Sequence, residues 1–115
     1  LKKDFLTKCT SRLEQGAIEY GDKSFYLPSS ALVKDISEEL LDVANWSSIL
    51  AVSGTSHEAK QFLAWVCRWS KMVHEKMASV ESDEIFEKKA VSVPENHDFV
   101  EEAKMFLKMA LGEKI

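Results

Sequence analysis

Between Asp35 and Trp46 the sequence crowds four carboxylates, Asp35, Glu38, Glu39 and Asp42, together with the amide of Asn45. At about 100° per residue, Leu32, Ile36, Leu40, Val43, Ser47 and Leu50 form one apolar stripe of a helix. Asp35, Glu39, Asp42 and Trp46 run along its edge, and Glu38, Asp42, Asn45 and Ile49 form the next row out. Acids one helical turn apart repel by roughly 0.2–0.5 kcal/mol per pair in water. A divalent cation relieves that repulsion. Mg²⁺ takes oxygen ligands, keeps several waters and is typically held by one or two carboxylates plus substrate phosphates. Glu39 and Asp42, at i and i+3, project from one face and can share such an ion, with Glu38 beside them. The same spacing also describes a solvated face whose acids lie near a helix N-terminus, where the macrodipole favours them.

The 115 residues, with 45% apolar content, suit a single domain over residues 1–115 with its own core. The net charge of −4 provides no electrostatic footprint for DNA or RNA, and no basic run suggests an anionic membrane. No stretch is long and apolar enough to span a bilayer. An acidic protein that handles a phosphorylated anion needs a metal between the two. Cys9 and Cys67 lie far apart within helix-like pattern and read as buried thiols in a reducing compartment. With no secretory signal read at Leu1, the expected location is cytoplasmic.

The pattern predicts a first helix from about Lys3 to Tyr20, with Leu6, Cys9, Leu13, Ala17 and Tyr20 on one stripe, Phe5 flanking it and Gly21 as its stop. Glu14 lies on the edge of that stripe and Glu19 nearly opposite it. If an acid from this helix joins Glu39 and Asp42, Glu14 is the better placed. The connection from Gly21 to Ser30 contains Lys23, Ser24, Phe25 and Tyr26, which could offer a nucleotide charge, a hydroxyl and stacking surface; such aromatics also commonly fold back on a core. Ser29 or Ser30 can cap the acidic helix.

After Ser53-Gly54, Thr55 and Glu58 have capping-box spacing, and a long helix follows to about Met77. Its expected buried stripe is Ala59, Phe62, Leu63, Val66, Trp69, Val73 and Met77, widened by Trp65 and Met72. Lys60, Arg68 and Lys71 lie mainly away from it. His57 and His74 have no partner at zinc-ligand spacing. Residues 79–93 are polar and mixed, and fit a short helix or an ordered loop. Pro94 then opens a last helix from Glu95 to Leu111, with Phe99, Ala103, Phe106, Leu107 and Ala110 at helical spacing and Gly112 as its stop. No strand-like alternation is present. The expected fold is all-α, an antiparallel bundle of four to five helices. With four glycines there is no glycine-rich phosphate loop, and there is no nucleophile elbow or paired-cysteine site.

Two segments carry a family resemblance: Arg12-x-x-x-Gly16-x-x-x-Tyr20-Gly21-Asp22-x-Ser24-Phe25, and Asp35-Ile36-x-Glu38-Glu39-Leu40-x-Asp42-Val43-x-Asn45-Trp46. Together they resemble the MazG-like branch of the all-α nucleoside triphosphate pyrophosphohydrolases, mainly over Arg12 to Leu50. The resemblance implies Mg²⁺-dependent cleavage of a nucleoside triphosphate between its α- and β-phosphates, in a bundle completed by assembly as a homodimer or homotetramer. It implies catalytic roles for Glu38, Glu39 and Asp42, and metal ligation by Glu39 and Asp42. Asn45 would contact the ligand, and Lys23, Phe25, Tyr26 and Trp46 would bind substrate. The family's other acidic half, Glu-Glu-x-x-Glu, is missing; Glu14 is the residue available to replace it, with Glu19 and Asp22 less well placed. The competing expectation is a non-catalytic helical interaction module, acting through its aromatic-rich helices.

Overall fold

The computed structural model describes residues 4–81 and 96–112, and the chain is all-α there: four α-helices, one 3₁₀ turn and no strand among the described residues. The helices are α1 (Phe5–Tyr20), α2 (Ser29–Ala51), α3 (His57–Glu81) and α4 (Phe99–Ala110), with the 3₁₀ turn at Lys23–Tyr26. None of the described helices is long and apolar enough to cross a membrane. The chain divides into two compact units, one holding α1, the 3₁₀ turn and α4, the other holding α2 and α3.

In the first unit, α1 begins about two residues later than its pattern predicts because Asp4 caps it, its carboxylate accepting the Thr7 N–H at 2.7 Å. It ends at Gly21, whose φ of 64° lets its N–H reach the Ala17 carbonyl at 2.9 Å. The last helix starts at Phe99 instead of Glu95, since Asp98 accepts the Glu101 N–H at 3.0 Å and sets the first turn there. Phe99 organises the unit: Phe25 stacks on it at 5.1 Å, and Tyr26 and His97 meet it edge-on at 5.4 and 4.6 Å. No residue of α1, the 3₁₀ turn or α4 is fully buried, and Tyr20, expected on the buried stripe, is exposed.

The second unit is a helical hairpin. Pro28 fixes the entry to α2, and its carbonyl accepts from Ala31 and Leu32; Ser29 and Ser30 fall inside the helix and do not cap it. Gly54, at φ 89°, turns the chain. The cap of α3 is Ser56, whose hydroxyl accepts the Ala59 N–H at 3.2 Å. Thr55, the expected cap, instead donates to the Ala51 carbonyl at 3.0 Å and so closes the end of α2.

The seam of this hairpin keeps Leu40 and Ser47 of the expected α2 stripe and Ala59, Leu63, Val66, Val73 and Met77 of the expected α3 stripe, and adds Val33, Ser37, Ala44, Ala51 and Ser70. Val33, Leu40 and Ser47 are buried, with Ser37, Ala44 and Ala51 half-buried between them, in alternating steps of four and three residues. Leu63 and Ser70 are buried on α3, flanked by half-buried Ala59, Val66, Val73 and Met77. The centre of the α2 seam is turned by roughly 60° from the expected stripe, so Ile36, Val43 and Leu50 lie outside it and exposed. On α3, Phe62, Trp65, Trp69 and Met72 are likewise exposed, not core. The physical reason is size. Serine and alanine let the two helix backbones approach, and the hydroxyls are satisfied within their own helices: Ser47 donates to Val43 at 2.7 Å and Ser70 to Val66 at 2.9 Å. The Cys67 thiol, half-buried where a buried one is expected, donates to the Ala44 carbonyl at 3.6 Å across the seam and marks the register. Residues 82–93, where a short helix or ordered loop is expected, and the opening Pro94-Glu95 lie outside the described residues.

Candidate functional site

The acidic residues of α2 sit beyond the exposed apolar row, on the side of the helix away from the seam. Around the helix the order is the buried seam, then Ile36, Val43 and Leu50, then Glu39 and Trp46, then Asp35, Asp42 and Ile49, then Glu38 and Asn45. The carboxylates are exposed. Glu38 meets Lys34 at 3.9 Å, a loose i,i+4 pair. Glu39, Asp42 and Asp35 make no ion pair among the described residues. Trp46 is 69% exposed, so its ring is available to a ligand or a partner and is not core.

The other expected site residues belong to the first unit. Glu14 is taken: the Lys104 ammonium pairs with it at 2.5 Å while lying 3.5 Å from Glu101. The hydrogen bond from Lys104 to Glu14, with the neighbouring acids adding to it, raises the lysine's pKa above its ordinary value. Phe25 is half-buried and, with Tyr26, is committed to packing on Phe99, whereas Lys23 is exposed at the start of the 3₁₀ turn. One helix face thus brings Glu38, Glu39, Asp42, Asn45 and Trp46 together, and a separate aromatic cluster holds Phe25 and Tyr26. Among the described residues no group of three or more His, Cys, Asp or Glu side chains is placed to hold a metal ion. Glu39 and Asp42 are nonetheless hard oxygen donors of the number that Mg²⁺ usually takes from protein, the rest of its shell being water and phosphate.

The pattern of large apolar residues concealed a second feature. Leu41, Cys67 and His74 share a small cleft on one edge of the hairpin. Ile36, Val43 and Leu50 of α2, and Phe62 and Trp69 of α3, therefore share the opposite edge. Trp46, Phe62, Trp65 and Trp69 are between 43% and 69% exposed. At about 150–250 Å² per aromatic side chain they leave on the order of 400 Å² uncovered, comparable with the largest apolar patch of an ordinary monomer before the aliphatic residues are added.

The sequence matches no family model, and neither curated proteins nor solved structures show a match. The residues alone carry the reading.

Proposed function

We propose that this chain is a Mg²⁺-dependent nucleoside triphosphate pyrophosphohydrolase of the MazG-like kind, active as a homodimer or homotetramer in the cytoplasm. The observation that carries the reading is the α2 face itself, where unpaired Glu39 and Asp42 border an apolar row that the hairpin leaves uncovered. A solvated face has no need of Ile36, Val43 and Leu50 beside its acids; a face that lines a larger bundle does. A second copy laid against this row would exclude water from the acids and strengthen their electrostatics.

In this reading Glu39 and Asp42 hold the cation, and Glu38 accepts a hydrogen bond from the attacking water. Asn45 donates to a phosphate oxygen, and Trp46 offers its ring to the base. Lys23, Phe25 and Tyr26 belong to the first unit and are assigned no part in this step. Mg²⁺ supplies neutralisation of the triphosphate charge. Water adds across the α–β anhydride, one P–O bond forms and one breaks, and the products are a nucleoside monophosphate and pyrophosphate. Glu14 is assigned no part, because its carboxylate is already neutralised by Lys104.

The test is pyrophosphate release from a panel of nucleoside triphosphates with Mg²⁺. Asp42→Asn is expected to lower turnover by at least about a hundredfold with far-UV helicity unchanged. Undiminished turnover in that variant disposes of the assignment. The exposed aromatic face also favours a second reading, a non-catalytic helical module. Mg²⁺ separates the two, since an ion that binds the folded state raises its Tm by linkage, whereas a module without the site is indifferent to it.

A further inference from the structure

The metal reading leaves unused most of the first motif, the one running from Arg12 to Phe25. In the structure its residues converge. Arg12, Gly16, Tyr20, Ser24 and Phe25, with Leu107 from α4, line a cleft of about 360 Å³ that lies wholly within the first unit. Its walls are largely apolar, with a guanidinium and two hydroxyls among them. No carboxylate is among the lining residues. Arg12 makes no ion pair, and the Tyr20 and Ser24 hydroxyls make no hydrogen bond, among the described residues. The nearby acid Glu14 is neutralised by Lys104 and does not compete for Arg12.

Gly16 supplies the second argument. It stands inside α1, where glycine is the poorest residue short of proline. It has no positive φ that would require it, and a Cβ built there meets nothing within 4 Å. Neither the helix nor the packing of this unit calls for glycine. The glycine leaves open space in the wall of the cleft that a larger side chain would fill.

We propose that this cleft binds an aromatic monophosphate of nucleotide size, with Arg12 pairing with the phosphate, Tyr20 and Ser24 donating to its oxygens, and the ring lying between Phe25 and the strip freed by Gly16. The volume is within the usual range for small-ligand sites, and a planar guanidinium matches a phosphate in two-point fashion. The site is distinct from the acids of α2 and requires no turnover there.

The experiment is a titration of the full ¹⁵N-labelled chain with nucleoside monophosphates, without Mg²⁺, following backbone amides. The expected result is saturable shifts at Gly16, Gly21 and Ser24. Arg12→Gln is expected to weaken binding at least about tenfold, and Gly16→Leu, which fills the cleft from a helical position, to abolish it with helicity retained by circular dichroism. Inorganic phosphate alone should bind more weakly than the nucleotide. Absence of saturable shifts up to about 5 mM, near the weak end of specific binding, overturns the proposal. So do shifts confined to α2, or shifts that survive both substitutions. Pyrophosphate release is read separately, so loss of this site and loss of the hydrolase reading give different results.

Discussion

At the scale of single residues, the charges that look equivalent in the sequence have different partners. Glu14 has a cation, Glu38 has a loose one, and Glu39 and Asp42 have none among the described residues. Asp4 is the acid whose electrostatics are worked out locally: the Thr7 N–H and hydroxyl hold its carboxyl below the ordinary carboxylate pKa. A depressed folded-state pKa means the cap stabilises above the unfolded value, about 3.9, and that this contribution is lost as pH falls through the lowered one. Asp4→Ala should therefore lower the Tm at pH 7, and the gap to the wild type should narrow as pH falls below the ordinary carboxylate range; a gap independent of pH would show that the carboxylate charge plays no part. Gly16→Ala should stabilise the chain by about 0.5–1 kcal/mol, since nothing stands within 4 Å of the added methyl. Denaturant midpoints measure it, and a loss of stability would mean that some neighbour already occupies that space.

At the scale of elements, the hairpin α2–α3 contains all five buried residues among those described: Val33, Leu40, Ser47, Leu63 and Ser70. Its seam is narrow and lined by small side chains, so each large residue in it counts for more. Leu40→Ala should cost about 2–3 kcal/mol, as for other truncations at partly relaxable core sites, with an unchanged denaturant m-value as the check that the unfolded state is the same. A cost below about 0.5 kcal/mol would place Leu40 outside the core. The acids of α2 are carried by the same helix but face the other way, which is why a substitution such as Asp42→Asn can remove chemistry without touching the seam.

At the scale of the whole molecule, the hairpin leaves large apolar side chains exposed along one edge. Ile36, Val43 and Leu50 lie beside Phe62 and Trp69 on one edge of the hairpin, continuous with the acidic row, and the proposed function requires a second copy to cover them. Sedimentation velocity on the wild type should show a dimer or tetramer, and Trp65→Asp, which removes the ring stacked on Phe62, should raise the dissociation constant at least about tenfold. Since Trp65 is outside the seam, the variant keeps its helices. An unchanged sedimentation coefficient at micromolar concentration would remove the assembly, and with it the means of covering the acids.

The all-α class, the helix boundaries near Gly21 and Gly112 and the grouping of Glu38, Glu39, Asp42 and Asn45 on one face were legible in the order of residues, because helical periodicity and backbone stops act over a few residues. Which side of α2 is buried was not legible. Hydrophobicity ranks Ile36, Val43 and Leu50 above Ser37, Ala44 and Ala51, yet close approach of two backbones rewards small side chains, and only the register of α2 against α3 expresses that preference. The pairing of Glu14 with Lys104 and the convergence of Arg12, Gly16 and Phe25 on one cleft were decided the same way, by which distant segments meet. Local sequence determines what each helix can offer; the packing between helices determines which of its faces remains free to act.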